Sequence, residues 1–296
     1  HLAERLLNIY CLYLQDQKKD LVIKQAPTVA FLNTDPLVKP KPAFAKNNVA
    51  IALSANDYYA PYVSALLHSM KEQFTPQHNY DLLVMHRDIR PQTQRRLRAV
   101  FAGCKNVSLR FFDVSRFGKQ FEHLFLRAHF ALETYFRLLM PELLPDYDKV
   151  LYLDGDIVIQ GDVAELYDTD VRGKMLGAVL DVDFASQING FAPGMMKHAV
   201  KTLKLEDPYR YFQAGVLLLN LTEMRKAHTQ EEWLELASVD YKYSDQDVLN
   251  VCCQNQVVYL PQEWNLLFDN DFTRVSEVFR FAPREHRLQY DAAAKN

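Results

Sequence analysis

A regular alternation of strand-like and helix-like segments is the feature that most limits what this chain can fold into. Short runs rich in Val, Leu, Ile and Tyr are separated by segments with the spacing of an amphipathic helix. Strands that alternate with helices build a mainly parallel sheet with helices on both faces. The predicted strands cover residues 49–53, 80–85, 107–112, 176–180, 216–219 and 257–260, together with one that begins at Lys149. The predicted helices cover about residues 59–73, 92–101, 127–139, 222–238 and 245–253, and breaks at Pro141 and Pro145 follow the third helix.

The chain is long enough to bury a full hydrophobic core, since its 296 residues include 49% hydrophobic and 12% aromatic side chains. Residues 1–45 are predicted to form an N-terminal helical extension, in which an amphipathic helix leads into a proline-containing linker. Residues 46–262 hold the α/β body, and residues 263–296 form a C-terminal segment. The predicted fold class is therefore α/β, with a mostly parallel, Rossmann-like sheet flanked by helices.

The overall charge excludes some classes of partner. A net charge of -3 and an isoelectric point near 6.3 give no general attraction to nucleic acid or to anionic lipid. No apolar run approaches the ~20 residues of a membrane span, and the chain shows no signal-peptide pattern. The cysteines lack Cys-X-X-Cys spacing, and such isolated cysteines are typical of reduced thiols. We therefore expect a cytoplasmic protein.

Two carboxylates interrupt an apolar strand at the point where it leaves the core. Asp154 and Asp156 follow Lys149–Leu153, and Gly155 lies between them. In an extended chain the two side chains point the same way, and the glycine lets a ligand approach the backbone. A hard divalent cation with phosphate oxygens suits this pair. The alternative is a plain turn, because Asp-Gly is also a strong hairpin signal.

The first strand ends in a polar and aromatic stretch. Ser54, Asn56 and Tyr59 offer a small side chain, an amide and an aromatic ring, which suit a sugar or a base. Because ligands of open α/β sheets bind beyond the carboxyl ends of the strands, this stretch and the aspartates are predicted to share one cleft. The chain has no Gly-X-Gly-X-X-Gly and no P-loop, which disfavours a dinucleotide oxidoreductase or a P-loop enzyme. A cation held by the aspartates is then the natural way to hold a diphosphate.

Five short stretches together resemble the family 8 retaining glycosyltransferases, which include bacterial lipopolysaccharide galactosyl- and glucosyltransferases and glycogenin. The resemblance covers about residues 48–267 and implies a fold of the GT-A type. It also implies a UDP-galactose or UDP-glucose donor, Mn²⁺ or Mg²⁺, and retention of the anomeric configuration. The supporting stretches are 52–59 (ALSANDYY), 134–138 (TYFRL), 149–156 (KVLYLDGD), 212–220 (FQAGVLLLN) and 244–250 (SDQDVLN).

The resemblance assigns roles to individual residues. Asp154 and Asp156 would bind the metal, Arg137 would contact the donor sugar and diphosphate, and Asp245 and Gln246 would lie against the transferred sugar. The other residues that it implies in donor binding are Ser54, Asn56, Tyr59, Gly155, Gln213, Ala214 and Gly215. Two alternatives stay open: Arg137 as a surface salt bridge, and Asp245 as a helix N-cap.

The chain departs from the family pattern at several points. Asn56 stands where relatives often have Asp, and Gln213 stands where they usually have Asn. The family's third metal ligand, a histidine near the C-terminus, has no match, since His286 lies in a different setting. We therefore expect that residues 263–296 form an acceptor-side segment that stops before this motif. Residues beyond it are expected to attach the protein peripherally to the inner face of the membrane.

The acceptor and the mechanism follow only from the resemblance. The implied acceptor is a glycan, lipopolysaccharide or a glycoprotein, and His129, Asp181 and Asp183 are candidates for its side of the cleft. Retention by same-face attack is the preferred hypothesis, because the amide oxygen of Gln246 is a poor nucleophile. Two alternatives are a sugar-phosphate nucleotidyltransferase and a nucleotide-sugar-binding protein with weak or no catalysis. The first would normally have a basic, glycine-rich loop after the first strand, which is absent here.

Overall fold

The computed structural model describes residues 39–115, 132–268 and 273–295. These residues belong to one compact unit, which begins at Lys39. The predicted N-terminal helix, most of the proline-containing linker and His129 lie outside the described residues. The proposed boundary between the α/β body and the C-terminal segment stays a prediction.

The described residues form a seven-stranded sheet with the order β3-β2-β1-β4-β6-β5-β7. The strands β1, β2, β3 and β4 run parallel to one another, whereas β6 runs antiparallel to both of its neighbours, β4 and β5. The predicted mostly parallel α/β sheet is therefore confirmed. The strands are β1 (Asn48–Ser54), β2 (Asn79–His86), β3 (Val107–Asp113), β4 (Lys149–Leu153), β5 (Leu176–Leu180), β6 (Phe212–Asn220) and β7 (Val257–Tyr259).

Helices connect these strands. The α-helices of more than four residues are α1 (Ala60–Gln73), α2 (Pro91–Ala99), α3 (Phe136–Leu143), α4 (Val163–Tyr167), α5 (Val182–Ser186), α6 (Leu221–Ala227), α7 (Gln230–Ala237), α8 (Ser244–Cys252) and α9 (Arg284–Ala293). A 3₁₀ turn, Leu132–Tyr135, leads directly into α3. Among the described residues, no helix combines the length and the apolar character that crossing a bilayer requires.

Two predicted helix boundaries were wrong. Pro141 lies inside α3 and does not end it, because a proline near the end of a helix removes only one backbone hydrogen bond. The single helix predicted over 222–238 is two helices. Thr229 begins the second, since its side chain accepts a hydrogen bond from the backbone N–H of Glu232 while the Glu232 side chain accepts one from the Thr229 N–H. This capping box stabilises a new helix start.

The strands β1, β2 and β4 are buried on both faces of the sheet. Ile51 and Leu53 of β1 are completely buried, as are Leu66 and Leu67 of α1. Such continuous apolar strands are typical of parallel sheets that are covered by helices. The resulting core holds the carboxyl ends of β1 and β4 side by side, with Leu53 opposite Leu153.

Because the direction of β6 is opposite to that of β4, β6 brings a second stretch of chain to the carboxyl ends of β1 and β4. Because β6 runs antiparallel to β4, its first residues lie next to the last residues of β4, and Val216 pairs with Leu153. The Asp154 N–H donates a hydrogen bond to the Gly215 carbonyl, at 2.8 Å. Asp154 and Gly215, which are about sixty positions apart in the chain, therefore meet at the carboxyl end of β4, where the predicted cleft opens.

Candidate functional site

A cavity of about 260 Å³ opens at the carboxyl ends of β1 and β4. Among the residues predicted for catalysis, donor binding and the metal, Gln213 lies outside its lining and is half-buried on β6. Asp181 and Asp183, which were predicted for the acceptor side, also lie outside the lining. The lining residues that the sequence predicted are Ser54, Asn56, Tyr59, Arg137, Asp154, Gly155, Asp156, Ala214, Gly215, Asp245 and Gln246. The lining residues that it missed are Ala55, Glu133, Thr134, Tyr152 and Tyr243.

The end of β1 supplies an aromatic wall. The Asn56 side-chain oxygen accepts a hydrogen bond from the Tyr59 N–H, at 3.0 Å, and this bond fixes the turn before α1. The Tyr59 ring is 37% exposed and packs against Tyr62 with 5.6 Å between ring centroids. The ring therefore remains accessible at the mouth of the cavity, while its neighbours hold its position.

Arg137 lies at the centre of the cavity wall and is almost fully buried. Its Nη2 donates to Asp154 Oδ1 at 2.8 Å, its Nη1 donates to the Ala214 carbonyl, and its Cζ lies 4.4 Å from the Tyr152 ring centroid. Its Nε lies 2.9 Å from Asp245 Oδ2. The alternative of a surface salt bridge is therefore wrong, since the guanidinium joins two carboxylates inside the protein.

The two aspartates line the same cavity, although the strand ends at Leu153 and Gly155 lies in a turn. The prediction that the two aspartates continue an extended strand was therefore wrong. Burial raises the pKa of Asp154 to about 6, Arg137 opposes this shift, and the charges of Asp245 and Asp156 add to it. A side chain at Gly155 would lie 3.1 Å from Val63 Cγ2, so the glycine lets the turn pack against α1.

The charges in the cavity fit a divalent cation. Four carboxylates line the cavity, and that of Glu133 is paired with Arg87. The other three, those of Asp154, Asp156 and Asp245, share one lining guanidinium, that of Arg137, which leaves an excess of two negative charges. A Cβ at Gly215 would lie 3.2 Å from Asp154 Oδ2, so this glycine leaves space beside the carboxylate. Within residues 39–115, 132–268 and 273–295, no group of three or more His, Cys, Asp or Glu side chains is arranged to hold a metal. The residues present thus fit a hard cation whose coordination is completed by water or phosphate.

The far end of the cavity is formed by the start of α8. The helix begins at Ser244, and its N-cap is Tyr243, which makes no side-chain capping bond. The interpretation of Asp245 as an N-cap is therefore wrong. Its buried carboxylate is directed at Arg137 instead, and while burial raises its pKa, Arg137 opposes that shift.

Gln246 is held from both ends of its amide. Its Oε1 accepts a hydrogen bond from the Ala214 N–H at 3.0 Å, and its Nε2 donates one to Asp181 Oδ2 at 3.1 Å. Asp181 also caps α5 by accepting from the Phe184 N–H. The second acidic residue of this segment, Asp183, forms an ion pair with Arg274. These contacts fix the orientation of the Gln246 side chain at the cavity wall.

Asp247 explains why the start of α8 adopts this conformation. Its carboxylate is completely buried and accepts hydrogen bonds from the Tyr211 hydroxyl at 2.6 Å and from the Tyr243 N–H at 2.9 Å. Ser244 takes a positive φ of 47°, which is unusual for a residue other than glycine. The buried hydrogen bonds of Asp247 thus hold the turn that presents Asp245 and Gln246 to the cavity.

Comparisons with known proteins identify the family. A family model described as Glycosyl transferase family 8 matches residues 50–288. A lipopolysaccharide 1,2-glucosyltransferase of Escherichia coli strain K12 is 36% identical over 141 residues, which are 45% of this chain and 38% of that enzyme. General stress protein A of Bacillus subtilis strain 168 is 23% identical over 222 residues, which are 73% of this chain and 72% of that protein.

Solved structures agree in fold. The WbbM bifunctional glycosyltransferase in its apo form has a TM-score of 0.78 and 31% identity, over 100% of this chain and 52% of that chain. Galactosyltransferase LgtC in complex with donor and acceptor sugar analogs has a TM-score of 0.60 and 28% identity, over 73% of this chain and 74% of that chain. The chain thus spans about half of WbbM and less than half of the E. coli enzyme. The fold is of the GT-A type, and the chain belongs to glycosyl transferase family 8.

Proposed function

We propose that this protein transfers a hexose, galactose or glucose, from a UDP-sugar to a glycan, lipopolysaccharide or glycoprotein acceptor with retention of configuration. The observation that carries the proposal is the order of chemical groups along the cavity. An aromatic wall at β1 comes first, the aspartates at β4 follow, and Asp245 and Gln246 lie beside β6. A nucleotide sugar has the same order of parts, because its diphosphate joins the nucleoside to the hexose.

In this proposal the middle of the cavity holds the diphosphate. Asp154 and Asp156 would hold Mn²⁺ or Mg²⁺, which when bound supplies Lewis-acid stabilisation of the charge that grows on the departing UDP. Arg137 adds a fixed positive charge at the same place. Because Ala214 and Tyr152 already hold its guanidinium, little reorganisation is needed during the reaction.

The hexose end favours a mechanism without a protein nucleophile. The amide oxygen of Gln246 is a weak nucleophile, and it already accepts a hydrogen bond from the Ala214 N–H. The Asp245 carboxylate lies against Arg137, which supports a role in accepting hydrogen bonds from sugar hydroxyls. We therefore propose same-face attack by the acceptor on a short-lived oxocarbenium ion pair.

The acceptor class is proposed from relatives. The E. coli relative is named as a lipopolysaccharide 1,2-glucosyltransferase, and LgtC is named as a galactosyltransferase with an acceptor sugar analog. A lipopolysaccharide acceptor is assembled at the inner face of the membrane, so such an acceptor would place the protein in the cytoplasm beside that face. Peripheral association with that face is part of the same proposal.

A donor screen with a matched pair of variants tests this function. The wild type is incubated with UDP-galactose, UDP-glucose or GDP-mannose, with Mn²⁺, with Mg²⁺ or with a chelator, and release of the nucleotide is measured. We expect metal-dependent release of UDP from one UDP-hexose. Asp156→Asn should lower that rate by roughly 10²–10³-fold, since it removes one of two carboxylates from the cation. The control is Asp146→Asn, which changes an exposed aspartate outside the cavity.

Two results would contradict the proposal. The first is an absence of UDP release from both UDP-hexoses under every metal condition. The second is an Asp156→Asn variant with wild-type rates at saturating Mn²⁺, which would remove the metal assignment. Because the Asp156 side chain is exposed, the variant should unfold at the same temperature as the wild type.

A further inference from the structure

The helix α2 and its flanks carry a concentration of positive charge that packing does not explain. Residues 87–105 contain six cationic side chains and one carboxylate, that of Asp88. Because the whole chain has a net charge of -3, the remainder of the chain is acidic. Within α2 only Leu97 is buried, so the core fixes one side of this helix. The cationic residues are Arg87, Arg90, Arg95, Arg96, Arg98 and Lys105.

Three of these arginines form an exposed surface, which we call the basic face: Arg95, Arg96 and Arg98. In the part of the chain that the structure describes, no carboxylate forms an ion pair with any of them. Arg98 donates to Gln94 Oε1 at 3.4 Å, and its Cζ lies 4.6 Å from the ring centroid of Phe111. The positive charges of the basic face are therefore not balanced by the described residues.

The two arginines that precede α2 differ from the basic face. Arg87 pairs with Glu133, and Arg90 pairs with Asp57. On a helix, residues three or four positions apart are neighbours, and like charges at such positions are unfavourable. Arg95 and Arg98 are three positions apart, so the basic face does not contribute to the stability of α2. Such a surface suits an anionic partner outside the protein.

The start of α2 lies beside the mouth of the cavity. The helices α1 and α2 begin beyond the carboxyl ends of β1 and β2, which are neighbouring parallel strands. Arg90 Nε donates to Asp57 Oδ2 at 2.6 Å, which joins the two helix starts. The next residue, Tyr58, is 79% exposed, and its ring centroid lies 5.9 Å from that of Tyr59 in the cavity lining. Exposed tyrosines are typical of membrane–water interfaces.

We propose that the basic face binds the anionic headgroups of a phospholipid bilayer, with Tyr58 at the interface. This proposal rests on the proposed function, which places the acceptor at a membrane, and it names the surface that docks there. A bilayer is planar and meets the protein on one side, so a local basic face is sufficient. An extended nucleic acid would also meet the acidic remainder of the chain, which repels phosphates. Docking through α2 brings the mouth of the cavity close to the membrane.

Vesicle flotation with the whole chain tests the proposal. The vesicles contain phosphatidylcholine alone or phosphatidylcholine mixed with phosphatidylglycerol, and the bound fraction is measured at low and at high NaCl. We expect binding to the anionic vesicles and its loss at high salt, because salt screens surface charges. The triple variant Arg95→Gln, Arg96→Gln, Arg98→Gln should bind them roughly 100-fold more weakly, since each arginine near such a surface contributes about fivefold.

A charge-matched variant separates the basic face from the net charge. The variant Arg172→Gln, Lys201→Gln, Arg287→Gln removes three exposed cationic side chains outside α2, and it should keep wild-type binding. Tyr58→Ala should weaken binding by a smaller factor than the triple variant. Thermal unfolding of each variant confirms that the compared proteins are folded.

Three results would overturn the proposal. They are equal binding to both kinds of vesicle, equal losses in the triple variant and its charge-matched control, and tighter binding to single-stranded RNA than to anionic vesicles. UDP release in solution should be unchanged in the triple variant, because the basic face lies outside the cavity lining. A failed donor screen with intact vesicle binding would therefore reject the proposed activity alone, and the reverse pattern would reject the docking surface alone.

Discussion

Two buried arginine–carboxylate clusters lie on the same sheet, and they differ in how completely their charges are matched. In the first, Asp81 on β2 is completely buried and accepts hydrogen bonds from Arg110 at 2.6 and 2.8 Å. The same carboxylate accepts from the Tyr147 hydroxyl at 2.8 Å and from the Ala43 N–H at 2.9 Å. This cluster has one positive charge for one negative charge, and both oxygens of the carboxylate are used.

The second cluster, at the cavity, is unbalanced. Arg137 is shared between Asp154 and Asp245, and Asp156 adds a third carboxylate nearby. Burial raises the pKa of Asp154 to about 6, although the guanidinium of Arg137 opposes this shift. A group of carboxylates that the protein does not balance with cations is typical of a site that a ligand completes. The balanced charges of Asp81 and Arg110 thus serve the stability of the sheet, while the excess of negative charge around Arg137 suits the binding of a cation.

The largest expected effect tests this contrast directly. Arg137→Met should lower the free energy of unfolding by about 3–5 kcal/mol, because it leaves the buried carboxylate of Asp245 and the partly exposed carboxylate of Asp154 without their cation. Arg110→Met should cost less, since Asp81 keeps its bonds to Tyr147 and Ala43 and the Arg110 side chain is partly exposed. Urea denaturation near pH 7.5 measures both values. Equal losses in the two variants would contradict the contrast.

A smaller effect should appear in the pH dependence of stability. Burial raises the pKa of Asp181 to about 6, so the folded state binds a proton more tightly than the unfolded state, whose carboxyl titrates near 4. The stabilising contribution of Asp181 is then complete below about pH 4 and is lost as the pH rises through 6. Asp181→Asn removes this dependence and still caps α5. Relative to the wild type, the variant should gain up to about 3 kcal/mol between about pH 4 and pH 8.

A matched variant controls for the helix cap. Asp207 also accepts a hydrogen bond from a backbone N–H, that of Tyr209, but its side chain is exposed. Asp207→Asn should therefore show no comparable gain when unfolding is measured across the same pH range. A gain for Asp181→Asn that is flat with pH would mean that burial of its charge does not limit stability.

The smallest effect concerns the uncharged wall of the cavity. Tyr59→Ala should weaken UDP binding by about 1–3 kcal/mol if the ring stacks on the base, as aromatic side chains do with single-stranded nucleic acid. Tyr58 is 79% exposed and does not line the cavity, so Tyr58→Ala is the matched control and should leave the affinity unchanged. Calorimetry of both variants with UDP decides the point. Unchanged binding in Tyr59→Ala would assign the ring a purely structural role.

Local patterns were enough to predict most of the sheet and the edge where the cavity opens. The strands and the polar ends of β1 and β4 follow from alternation of apolar runs and from residues that are close in the chain. The start of a new helix at Thr229 could also have been predicted, since Thr229 and Glu232 have the spacing of a capping box. The helical spacing of apolar residues across 222–238 favoured a single helix instead.

Contacts between distant residues could not be predicted in the same way. Arg87 and Glu133 are paired across 46 positions, and no pattern near either residue indicates the partner. Asp245 looked like a cap because an acidic residue precedes a helical run, yet the turn held by Asp247 starts the helix one residue earlier. Such pairs depend on the folded sheet, so only the structure reveals them.

The hydrogen bond from the Asp154 N–H to the Gly215 carbonyl has a mechanical consequence. It continues the ladder between β4 and β6, so Asp154 and Gly215 are held at a fixed distance on the wall of the cavity. Two other lining segments, the turn before α3 and the start of α8, are not strands of the sheet. Under the proposed function, a donor that is too bulky for the cavity has to displace these segments, because the paired strands keep their spacing.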